Sequence, residues 1–208
     1  MNILINSAIS KSIEAAHAGG ISRLKGEGAW GDLLAAATDQ YQLGQFALNE
    51  KGAEAFSKWE KEEFEAYVRS EIAAGSLPRE YLVREMKDGK EKIASQLWMT
   101  PEGEYLSPPK DKAEREEYRK TGIKDVFGKY KTSASILKNA IKDGIDFRGK
   151  SKEEIDKERK VLKEEREKEA EEKIDVPEEI MLIATQLVAS ADGDRKVIYT
   201  AIARAMAE

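Results

Sequence analysis

Apolar residues recur three and four positions apart along much of the chain, the periodicity of helices with one buried face. Ile3, Ile5, Ile9, Ile13 and Ala16 predict an opening helix, with Asn6 or Ser7 available as N-cap and Gly19-Gly20 as its stop. Five glycines in GGISRLKGEGAWG, Gly19 to Gly31, predict a mobile or tightly turned connection. Leu33, Leu34, Ala37, Tyr41, Leu43 and Phe46 then mark a helix over 32–49. Phe56, Trp59, Phe64, Tyr67, Val68 and Ile72 mark another from Gly52 to Ala74. Pro78, at home in a helical first turn, opens a third carrying Tyr81, Leu82, Met86, Ile93, Leu97 and Trp98.

The pattern breaks at TPEGEYLSPP, Thr100 to Pro109, whose three prolines cannot continue a helix and leave room for a short extended pair around Tyr105. Beyond it, Thr132 or Ser133 can cap a short helix lined by Ile136, Leu137, Ala140 and Ile141 and closed by Gly144. SKEEIDKERKVLKEEREKEAEEKID, Ser151 to Asp175, has Glu/Lys pairs at helical spacing but few apolar points. It predicts a solvated strut whose heptad fails when Glu falls at position 169. Two apolar runs around Asp192-Gly193-Asp194 predict a closing helical hairpin, able to pack on the bundle or to self-associate.

The expected fold is therefore mainly α. It comprises an N-terminal helical bundle (1–99), a Pro-rich connection (100–109), a basic middle segment (110–150), a long charged helix (151–175) and a C-terminal helical hairpin (176–208). Charged residues make up 36% of the 208 positions, well above the roughly one quarter of ordinary domains, so the surplus belongs on solvated helices.

Cysteine is absent and His17 is the single histidine, which removes thiol chemistry, cysteine zinc sites and any pair of imidazoles. No catalytic residue, metal ligand or cofactor is expected, although a carboxylate-only metal nuclease stays open. The glycine-rich stretch matches neither established phosphate-loop spacing, and Asp32 at the following helix start would repel an anion. The Asp-Gly-Asp turn lacks the remaining ligands of a calcium loop. No apolar run is long enough for a signal or a membrane span, so a cytoplasmic protein is expected.

Charge redraws this picture. Lys110 to Lys152 holds thirteen Lys or Arg against seven Asp or Glu, +6 in a chain of net −5, which leaves −11 elsewhere. A divided chain of this kind suits a polyanion binder with a soluble body. Candidate phosphate contacts are Lys110, Lys112, Arg115, Arg119, Lys120, Lys124, Lys129, Lys131, Lys138, Lys142, Arg148 and Lys150. Tyr118 and Tyr130, aromatic with a polar tip, are candidates for stacking on bases. Phe127 and Phe147 are expected instead in a small core with Ile136, Leu137, Ile141 and Ile145, with Tyr130 at its edge. As the second helix of a helix-turn-helix, the capped helix would offer only Ser133, Ser135 and Asn139 as base readers and no arginine for guanine. Backbone tracking of a single strand is favoured over sequence-specific duplex recognition.

The run KYKTSASILKNAIKDGIDFRGKSKEEIDK, Lys129 to Lys157, resembles small early-expressed bacteriophage proteins, nearest the phage single-stranded-DNA-binding cofactors of phage RNA polymerase. The resemblance implies a homo-oligomer that binds single-stranded DNA in phage transcription or replication in the host cytoplasm, with RNA polymerase as a partner. The alternative is a phage inhibitor whose acidic surface, centred on the glutamates of 151–175, mimics nucleic acid and binds a host protein.

Overall fold

A computed structural model describes residues 2–18, 22–109 and 111–172, and the fold is mainly helical. Residues 1–161 form one compact unit and residues 162–208 a second. The expected hairpin at 176–208 lies outside the described residues.

The first helix, α1, spans Ile3–His17. Asn2 caps it by accepting from the amides of Leu4 and Ile5, one turn earlier than the expected Asn6 or Ser7. The second, α2, runs from Ser22 to Gln42 and so includes Gly26, Gly28 and Gly31, where a turned connection was expected. Packing overrides the poor helix propensity of glycine here. Ala29, Ala36 and Ala37 are buried, α1 packs chiefly on α2, and the Lys11 stem passes Gly28 so closely that a Cβ there would sit 3.2 Å from it. Lys11 then reaches Asp32 at 2.5 Å.

Helix α3, Glu50–Ala73, matches the expected span closely, and Asn49 caps it by accepting from the Gly52 amide at 2.8 Å. Gly52 is required by contact: a Cβ would fall 1.7 Å from the Ala47 carbonyl oxygen and 2.7 Å from its carbon. The loop backbone itself would have to move. Gly52→Ala is expected to destabilise the protein by about 1–3 kcal/mol or more, read as a lower urea midpoint. An unchanged midpoint would mean that the loop relaxes freely.

The predicted third helix is overturned after one turn. Helix α4 covers only Arg79–Leu82, and the chain then forms an antiparallel hairpin of β1 (Val83–Glu85) and β2 (Glu91–Ile93). The Gly89 amide donates to the Met86 carbonyl and Gly89 sits at φ 75°, the left-handed residue that a three-residue hairpin loop needs. Gly89 is therefore part of the turn itself.

Strand β3 (Trp98–Met99) lies between β4 (Tyr105–Leu106) and β5 (Lys124–Asp125), antiparallel to both. The extended pair around Tyr105 is present, and the Pro-rich stretch lies inside the first compact unit. Because β5 comes from the basic segment, this small sheet joins it to the bundle. Helix α5 (Lys112–Lys120), capped by Asp111, precedes β5.

Helix α6, Gly128–Asp143, begins a turn before the expected caps and ends at Gly144 in the left-handed conformation. Thr132 and Ser133 lie within it and donate back to the carbonyls of Gly128 and Lys129. It packs on α3, α2 and α1, burying Tyr130, Ala134, Leu137, Ala140 and Ile141. Helix α7, Lys152–Glu172, opens on a reciprocal cap: Ser151 Oγ accepts from the Glu154 amide, and Glu154 accepts from the Ser151 amide. Ile155 is buried, while Val161 is exposed.

Candidate nucleic-acid interface

Burial sorts the sequence-predicted cations and aromatics into separate groups. Tyr130 is 0% exposed, its ring stacked on Phe64 at 5.8 Å and 14°, so it is a core residue and cannot stack on a base. The sequence misplaces it because a polar tip says nothing about which side of α6 meets α3. Tyr118 is half-buried, edge-on to Trp98 at 5.5 Å. Phe127 and Phe147 are buried, as expected.

Among the candidate cations, Arg119 lies 3.7 Å from Glu116, and four more are engaged by acids. Lys142 pairs with Glu50 at 3.0 Å, Lys150 with Glu158 at 2.7 Å, Arg148 with Asp146 at 2.5 Å, and Lys131 with the largely buried Glu60 at 3.0 Å. Lys131 also lies 3.6 Å above the Phe64 ring. Removing Lys131 would leave Glu60 without its partner, so this lysine holds α6 to α3 before it does anything else. Lys112, Lys120 and Lys138 are exposed and do not line the cavity described below, and Lys110 lies outside the described residues.

Five of the cations, Lys131 among them, converge. Arg115 and Arg119 from α5, Lys124 from β5, and Lys129 and Lys131 from α6 line one cavity of about 790 Å³. Two interactions between distant segments hold these walls together. Ser12 of α1 donates through Oγ to the Val126 carbonyl (2.9 Å) and accepts from the Tyr130 amide (3.2 Å), pinning the start of α6 beside α1. The β3–β5 pairing sets Lys124 opposite Met99 and Asp125 opposite Trp98. The floor includes Trp98, 3% exposed, and Arg115 is half-buried with its Nε enclosed and without a hydrogen-bond partner.

Sequence reasoning missed Ser12, Gln96, Trp98 and Asp125, because each enters through pairing between distant segments. Ser133, a proposed base reader, is buried, whereas Ser135 does line the cavity. His17 is exposed, 3.5 Å from the Tyr105 hydroxyl, and does not line it.

Comparison with family models, with curated proteins and with solved structures finds no match. The chemistry must speak for itself. Five cations surround one acid in the lining, a concentration of positive potential that favours an anion. Among the described residues no three His, Asp or Glu groups gather to hold a metal ion, and no helix is long and apolar enough to cross a membrane.

Asp125 is the exception inside the cavity. Burial raises its carboxyl from 3.8 to about 6; the Phe127 amide it accepts from and the nearby Lys131 and Arg115 only partly offset this. The folded chain thus holds this proton more tightly than the unfolded chain. Its contribution to stability is complete below about pH 4 and is lost as pH rises through about 6. Lowering the pH through that window also removes the one negative charge facing an incoming anion. Oligo-dT, whose base does not titrate there, is expected to bind about three- to tenfold more tightly at about pH 5.5 than at about pH 7.5. Asp125→Asn should bind equally at both; a variant that keeps the full dependence assigns it to another group.

Proposed function

We propose that this protein binds nucleic acid through the backbone phosphates of a single strand seated in the cavity between α5, β5 and the start of α6. The observation that carries this is the convergence of Arg115, Arg119, Lys124, Lys129 and Lys131 on one concavity. Cations that face inward from three walls suit a narrow strand, whereas a duplex about 20 Å across needs them spread over an open face. The lining aromatic, Trp98, is buried, as is Phe64 beneath Lys131. Binding is therefore by charge, with little preference among bases.

The likeness of Lys129 to Lys157 to phage single-strand-binding cofactors favours transcription or replication as the setting, with RNA polymerase as the partner to test. Fluorescence anisotropy of labelled oligo-dT and of a duplex at about 50 and 200 mM salt tests the proposal. Single-strand binding that weakens by about 50- to 100-fold over that range supports it. Absence of binding to either overturns it, and would turn attention to capture of a host protein by the glutamates of α7.

A further inference from the structure

A second cavity, of about 500 Å³, shares Gln96 and Lys131 with the first. We propose that it continues the same binding track, with Arg84 and Lys92 of the β1–β2 hairpin as further phosphate contacts for the strand. The inference rests on the proposed single-strand binding and assigns residues outside the basic segment.

The hairpin register sets Arg84 directly opposite Lys92, and both line this cavity. Like charges paired across strands repel and cost stability. The acids nearby do not relieve them: Glu60 is held by Lys131, and Glu65 lies 3.9 Å from Lys61. The next pair along the hairpin shows the contrast. There Glu91, opposite Glu85, is taken by Arg69 and Arg79. The hairpin thus compensates the carboxylate on one face and leaves two cations facing the cavity on the other. An anion supplies what the chain does not. A phosphodiester strand fits, because it presents repeated charges to both cavities past Lys131.

The test compares the intact protein with Arg84→Gln/Lys92→Gln on labelled oligo-dT of about four and about twelve nucleotides. The longer strand should bind the intact protein more tightly. The double variant should lose about tenfold on the longer strand and little on the shorter, with a salt slope reduced by about 1.4. It should melt no lower than the parent, since a repulsion has been removed. Charge-preserving Arg84→Lys/Lys92→Arg should bind as the parent does. Full binding of the long strand by the double variant, while Arg115→Gln/Lys129→Gln binds weakly, overturns the track and leaves the first cavity as the whole site. Failure of the parent to bind either strand overturns both.

Discussion

Replacing Arg115 and Lys129 together with glutamine is expected to lower affinity for oligo-dT by about 30- to 100-fold at about 50 mM salt. The figure corresponds to about 1–1.4 kcal/mol for each of two cation–phosphate contacts, within the net range of a hydrogen bond. The pair is chosen because its members enter from different walls, α5 and α6, of the same cavity. The other three are harder to interpret: Arg119 lies 3.7 Å from Glu116, Lys131 is committed to Glu60, and Lys124 has interactions of its own.

Neutralising two phosphate contacts should also flatten the salt dependence, by about 0.7 in the logarithmic slope for each on a single strand. Weaker binding with an unchanged slope would point to a distorted fold instead. Arg115→Lys, which keeps the charge on a half-buried stem, separates loss of charge from loss of packing. If the glutamine variant binds as the parent does, the cavity is not where the strand lies.

How far the sequence disclosed this site depends on whether the information is local. Helix α3 was legible from its apolar spacing and α7 from its Glu/Lys pairs, signals that lie within a few residues of one another. So was the electrostatic division, since α5, β5 and α6 are consecutive. The hairpin was hidden because Tyr81, Leu82, Met86 and Ile93 satisfy a helical spacing as well as an extended one. The Asp88-Gly89 turn was the cue that decides between them. Tyr130 shows the deeper limit. Its place is set by Phe64, sixty-six positions earlier, and by Ser12, which accepts from its amide. No window along the chain contains that fact. The same holds for Asp125, whose carboxyl pKa is raised by burial and which pairs with Trp98 from the other side of the Pro-rich turn.

Phe64→Ala is expected to cost about 3–5 kcal/mol of stability, the largest single effect predicted for the core. Phe64 is 2% exposed and meets Phe127 edge-on at 5.1 Å and 87° while stacking on Tyr130, so its ring joins α3 to the start of α6. Truncation leaves a cavity there and withdraws the surface under Lys131. Phe64→Leu divides these contributions: it keeps most of the buried volume but gives up the aromatic pairs, about 0.5–1.5 kcal/mol each, and a cation–π contact of about 0.5–2 kcal/mol. Its urea midpoint should therefore fall between those of the parent and Phe64→Ala. Because Lys131 and Gln96 separate the two cavities, the leucine variant should also bind the longer strand less well while folding normally. Alanine and leucine variants of equal stability would show that α3 and α6 are held together elsewhere. Unchanged strand binding in the leucine variant would show that Lys131 keeps its place through Glu60 alone.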